Sequence, residues 1–467
     1  MTFESTALRA PSRWTPWLDR FHAWRHSAAW LLAVDILAVL TAASLPWSTS
    51  ATTAFIVLWL IVVAPTIDWE TFVLDLAQPA RAWPVLLFAL AVMGTLWSDA
   101  PWAARLQGIK PAAKLLLIPF LLYHFQRTQR GSWSFIAFIA SCTLLMICSW
   151  IVLFAPHLTF AHTVSAGVPV KNYIDQSQEF ALCAFTLALP ALIAFRWKKW
   201  TTAGGFLALI LAFVANMLFV ASSRTALIYM PALMELFASL YLSRRSRFAL
   251  LAGAILAGVL AWTTSPYLRQ RIADIGIEYQ AHDISGIAST AQRLTYWRKS
   301  IKFFAEAPLL GHGTGSIKAQ FERDAIGQTG LQAEIVNNPH NQTLNVAVQW
   351  GLLGIILLYA TWLSHLHLFT GRDLAGWIGL VVVVQNVVSS LLNSHLFDFH
   401  EGWIYVLGVG IAGGMSLRAA RLSGAPRAFS SEVETGSRQE NASNQEARAP
   451  FRFNRNGNGS SARPRRQ

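Results

Sequence analysis

The chain has 467 residues, of which 54% are hydrophobic and only 13% charged, with a mean hydropathy of +0.41. Soluble domains carry about 25% charged residues, so a soluble enzyme or a nucleic-acid-binding module of this length is excluded, and so is a disordered chain. A spanning helix needs about 20 apolar residues, and a dozen of them would occupy about half of this sequence, which implies an all-α polytopic membrane protein.

The net charge of +13 has a topological reading. From Arg418 to Gln467, ten arginines stand against four glutamates, and much of the remaining excess lies in short loops, where Lys and Arg mark the cytoplasmic side. No nucleic-acid partner follows from it. Cys142, Cys148 and Cys183 all sit inside apolar runs, so they suggest neither a disulfide framework nor a metal cluster.

Residues 1–26 are polar, carry Arg9, Arg13, Arg20 and Arg25, and read as a cytoplasmic arm rather than a cleaved signal. Twelve apolar runs follow, at about 28–45, 51–67, 83–98, 111–124, 133–155, 180–197, 201–222, 224–243, 248–266, 341–363, 374–392 and 402–418. Transmembrane helices 1–9 thus fall within 27–266 and helices 10–12 within 341–418. The stretch 201–243 is nearly unbroken, but as one helix it would extend about 64 Å, twice a hydrocarbon core of about 30 Å. It must turn near Ser222-Ser223-Arg224. The fourth run is short enough to suggest a tilted or re-entrant element.

Basic loops at Arg127 and Arg130, at Arg196 to Lys199 and at Arg244 to Arg247 set both termini in the cytoplasm. The loop 68–82 is a mild exception, with Asp68, Glu70 and Asp75 against Arg81. Residues 267–340 then form a periplasmic loop domain, too long for a simple connection. Within it, 290–306 place Leu294, Trp297, Ile301 and Phe304 on one stripe, the pattern of an amphipathic helix packed on that face. Residues 419–467 read as a disordered cytoplasmic tail.

Four outward features can carry chemistry, and each has a plainer reading. Arg224 lies at the outer turn of two apolar spans, where a charge is expensive unless it is partnered; otherwise it is an interfacial anchor. Arg293 opens the loop helix and offers a planar fork for phosphate oxygens, or belongs to a solvated basic face. His340, in Asn337-Asn338-Pro339-His340-Asn341, sits at a corner where Pro339 disfavours helix before it and Asn341 can cap the helix after it. It suits a general base, or is a histidine satisfied at a helix entry. Gly311-His312-Gly313-Thr314-Gly315 can cradle phosphate through backbone amides, or is a simple turn. Asp398 is the best isolated acid on that side, which otherwise lacks clustered acids, and no metal site is expected. Asp35 and Glu235 read as isolated acids within the spans.

In order along the chain, Trp97-Ser98-Asp99, Ser223-Arg224-Thr225-Ala226, Arg293-Leu294-x-x-Trp297, Pro308-Leu309-Leu310-Gly311-His312-Gly313 and Pro339-His340-Asn341 resemble the O-antigen ligase/polymerase superfamily of membrane glycosyltransferases, and within it the lipopolysaccharide O-antigen ligases. The resemblance implies a GT-C-like fold and a multi-pass protein of the bacterial inner membrane. It implies transfer of glycan from undecaprenyl diphosphate to lipid A–core at the periplasmic face, inverting and without a metal or other cofactor. It assigns the diphosphate to Arg224 and Arg293 and catalysis to His340, with Asp398, Asn341 and Gly313 in support. An O-antigen polymerase or an O-linked protein oligosaccharyltransferase shares these motifs. A polysaccharide transporter is the alternative from another class, but the sequence shows no internal repeat to support one.

Overall fold

The computed structural model describes residues 20–423 except 22, 26, 161–165, 222, 271 and 274–288. Most of the N-terminal arm, part of the 267–340 loop and the tail beyond Ser423 therefore lie outside the described residues. The principal helices are α1 (Ala28–Ser44), α2 (Thr49–Val63), α3 (Trp69–Asp75), α4 (Pro79–Met93), α5 (Trp102–Ala113), α6 (Leu117–Phe125), α7 (Gly131–Phe154) and α8 (Tyr173–Arg196). They continue with α9 (Trp200–Phe219), α10 (Ala226–Tyr241), α11 (Arg244–Thr264), α12 (Ser289–Glu306), α13 (Ile317–Asp324), α14 (Gln342–Leu368), α15 (Leu374–Ser389) and α16 (Phe399–Leu422). No strand occurs among the described residues.

Each of the twelve apolar runs falls on a helix, yet they are not equal. Eight segments are long and apolar enough to cross a membrane, nine if α3 and α4, bent by 87°, count as one span. The helices α1, α10 and α15 are apolar but shorter. The stretch 201–243 turns where its length demands, between α9 and α10. The fourth run is part of a 24-residue segment, Trp102–Phe125, because Arg105 is absorbed by protein: it donates to the carbonyls of Ala100 and Thr95 at 2.6 and 2.9 Å.

The bundle is held by close backbone approach and by large buried rings. In α16, a Cβ on Gly410 would come within 2.4 Å of the Leu121 side chain, and one on Gly414 within 2.5 Å of Phe125. This Gly-x-x-x-Gly stripe lets α16 pack tightly on α6, as lipid-embedded helices require when lipid itself is apolar. Trp59, Trp350, Trp377 and Tyr405 fill the interior.

The acids expected to be isolated are not. Asp35 is fully buried and bonded to His124 at 2.8 Å, Thr128 at 3.1 Å and Arg130 at 3.2 Å. Glu235 is 66% exposed and faces Arg247 at 3.7 Å. Asp75, in the loop that broke the basic pattern, is neutralised by Arg81 at 2.7 Å. A buried charge is tolerated only with such partners.

At the opposite end, the fold turns on a break in α14. Gly351 has φ +59° and ψ −151°, conformations only glycine adopts without strain. Helical hydrogen bonds lost there are replaced by the Pro308–Gly313 turn. Leu352 N–H donates to Pro308 O (2.8 Å), while His312 and Gly313 N–H donate to Val348 and Gln349 O (2.9 and 2.8 Å). Irregular backbone at this depth is acceptable because protein satisfies it.

Candidate active site

His340 stands at the entry to α14 with φ +55°, a left-handed conformation uncommon for a residue with a Cβ. Asn338 holds it there, its Oδ1 accepting the His340 N–H at 2.9 Å. Asn341 caps the helix as its position in sequence suggests, accepting the Leu344 N–H at 3.0 Å. The loop 390–398 is laced to this corner. Asn341 Nδ2 donates to Leu391 O at 2.9 Å, Gln342 N–H to Ser390 O at 3.0 Å, and the His340 ring lies 2.8 Å from Asn393 Oδ1.

The loop helix α12 forms the other wall. Tyr296 stacks on the His340 ring at 6.3 Å between centroids, and Trp297 Nε1 donates to His340 O at 3.3 Å. Arg293 is half-buried one turn earlier, close enough that its charge helps to lower the His340 pKa; burial is the larger cause, and Asn393 and Asp398 act against it. The packed face of α12 differs from the expected stripe. Tyr296, Lys299, Ser300 and Phe303 are buried, whereas Leu294 and Ile301 are 43% and 57% exposed. Lys299 is buried because it has partners, Asp324 at 2.9 Å and the Gln332 carbonyl, while the exposed Lys302 reaches the same carboxylate at 2.6 Å. The basic face of α12 is thus partly engaged with α13.

Arg224 lies half-buried in the turn before α10. Its neighbour Ser223 receives no helix of its own but donates its N–H to Ser177 Oγ on α8 at 2.9 Å. That contact ties the Arg224 turn to the first turns of α8, which carry Asp175 and Glu179.

Those acids belong to a cluster that sequence reasoning missed. His400 Nδ1 and Nε2 lie 3.4 Å from Asp175 and 3.5 Å from Glu179, and Lys171 bonds both His400 and the Leu45 carbonyl. His395 Nδ1 faces Asp398 at 3.3 Å and Glu401 at 3.4 Å. Lys114 donates to Phe397 O at 3.1 Å and to Asp398 O. The end of the bundle that carries His340 is therefore rich in clustered acids, contrary to expectation. His395 and Asp398 precede α16 and only Glu401 lies within it, so no helical periodicity marked the three together in the sequence.

The ligand atoms of His395, Asp398 and Glu401 lie within 4.8 Å of one another, a spacing able to hold a metal ion. The same spacing is met by a cation already in place. Burial alone would lower the His395 pKa, but Glu401 and Asp398 push it up to about 9, so an imidazolium sits between the two carboxylates at neutral pH.

Two expectations change on this geometry. Asp398 is one of a pair around His395, not an isolated acid. The Gly311–Gly315 turn cannot cradle phosphate, because all five backbone amides are engaged: with Ala307, Val348, Gln349 and Gly94 carbonyls, and with Gln349 Oε1. Gly313, at φ +84°, is needed because a Cβ would lie 2.5 Å from Ser98 Cα. Trp97 Nε1 donates to Leu310 O at 3.1 Å, so the first and fourth sequence motifs meet as a packing unit. A separate apolar cavity, lined by Leu45, Phe138, Leu182, Val382 and Ile411 among others, has no charged side chain and is not a place for phosphate chemistry.

No curated protein matches the chain. Residues 206–359, which carry Arg224, Arg293 and His340, match the family model described as O-antigen ligase; the match supports an O-antigen ligase family assignment, within the O-antigen ligase/polymerase superfamily of membrane glycosyltransferases.

Proposed function

We propose that the protein transfers glycan from undecaprenyl diphosphate to an outer sugar of lipid A–core at the periplasmic face of the bacterial inner membrane, in lipopolysaccharide assembly. The observation that carries this reading is that Arg293 and His340, both inside the matched domain, stand on adjoining walls of one half-buried site at the end of the bundle remote from the Arg81, Arg127 and Arg130 loops. With those basic loops inside, the site and the 267–340 segment face the periplasm and both termini the cytoplasm.

In the proposed reaction the acceptor hydroxyl attacks the anomeric carbon as the carbon–oxygen bond to the diphosphate breaks, with inversion. His340 takes the hydroxyl proton, and the diphosphate leaves with the bonding electron pair. Arg224 and Arg293 stabilise the charge that grows on it, as donors aimed at developing charge do in a site shielded from water. Guanidinium groups supply this without a metal. A twelve-span, GT-C-like arrangement is consistent with eight or nine full-length spans and three shorter apolar helices.

Reconstitution with undecaprenyl-diphosphate glycan and rough lipopolysaccharide tests the reading. Transfer to lipid A–core supports it. Elongation of glycan still on undecaprenyl diphosphate would make the protein a polymerase, transfer to a protein hydroxyl an oligosaccharyltransferase, and translocation without transfer a transporter.

A further inference from the structure

The geometry points to Asn393 as the positioning residue that fixes the tautomer and aim of His340; this rests on His340 being the base proposed above. The Ser394 N–H donates to Asn393 Oδ1 at 3.0 Å, which identifies that atom as the amide oxygen, since a backbone donor needs an acceptor. His340 Nδ1 lies 2.8 Å from the same atom. An oxygen can only accept, so Nδ1 carries the proton. In a neutral imidazole the lone pair is then on Nε2, the atom left to take a proton.

The arrangement is braced on every side. Asn338 Oδ1 accepts both the His340 N–H, at 2.9 Å, and the Ser394 hydroxyl, at 2.7 Å, so the His340 backbone and the residue after Asn393 share one anchor. Tyr296 covers a ring face. The charged and titratable groups that face His340 are Arg293 and Tyr296 from α12 and His395 and Asp398 from the Asn393 loop. A carboxylate in place of Asn393 would stabilise imidazolium and hold the base protonated. A neutral amide orients the ring and leaves it uncharged.

The test compares glycan transfer by wild type, Asn393→Ala, Asn393→Asp and His340→Ala in proteoliposomes across pH, with donor KM measured separately. Asn393→Ala is expected to lose about tenfold or more in kcat, part of the 10²–10⁴ that a general base contributes, with donor KM unchanged. Asn393→Asp is expected to move the acid limb of the profile to higher pH and to recover kcat above it. If both variants keep the wild-type profile, or if both lose kcat and donor affinity together with no shift of the limb, the inference is overturned while the base assignment stands. If His340→Ala transfers at the wild-type rate, the base assignment itself fails and the inference falls with it.

Discussion

Asn338 accepts the Ser394 hydroxyl at 2.7 Å, joining the corner before α14 to the loop before α16 across 56 positions of sequence. The same oxygen holds the His340 backbone in its left-handed conformation. Such a conformation costs on the order of 1–3 kcal/mol, and the bridge is what makes it sustainable.

If His340 is the base, His340→Ala should lose at least about 10²-fold in transfer while still binding donor. Arg224→Lys and Arg293→Lys keep the charge but lose the bidentate fork, so they should weaken donor binding rather than behave as wild type. Donor titration and single-turnover transfer separate the two effects. A His340 variant with near-normal turnover would shift the role to an acid such as Asp398.

A base must be unprotonated to act. Burial first, and then the Arg293 charge, lower the His340 pKa from its ordinary 6.5. The acid limb of transfer should therefore have its midpoint below pH 6.5. A pH–kcat/KM profile whose acid limb lay above pH 7 would contradict this.

Transfer should survive exhaustive chelation. In the one group with metal-ligand spacing among the described residues, the Asp398 and Glu401 carboxylates already face the His395 imidazolium, and the Lys114 ammonium lies beside Asp398. Loss of activity in EDTA that magnesium or manganese restores would reverse this assignment and name those three as ligands.

Gly313→Ala should destabilise the protein by about 2 kcal/mol or more, because its Cβ would strike the rigid Ser98 and Gly94 backbone. Gly204→Ala, in α9 with nothing within 4 Å, is the control and should be neutral. Thermal unfolding in detergent reads both. Equal melting temperatures would show that the turn is not a packing unit.

For topology, Gln328→Cys is an exposed probe in the long loop, whereas Ser316 is buried. Labelling of Gln328→Cys by an impermeant thiol reagent from the periplasmic side is expected. Access only from the cytoplasm would invert the proposed orientation.

The sequence alone determined where the apolar helices lie, because length and hydropathy are local properties that a bilayer reads directly. It also marked the turn at Ser222–Arg224, the Asn341 cap and the three site candidates, since each is written in a short contiguous pattern. Tertiary structure decided which faces meet. In α12 the apolar stripe was legible but its direction was not, because Leu294 and Ile301 face outward while Lys299 is buried against Asp324. The partners of His340 were invisible for a related reason: Asn393 is 53 positions away, and an asparagine in a loop carries no periodic signal. Lys171 and His400 meet across 229 positions, so their cluster with Asp175 and Glu179 exists only once the helices pack. Hydropathy places segments at a depth; only packing brings polar side chains from different segments to the same point, where the cost of burying them alone forces them to pair.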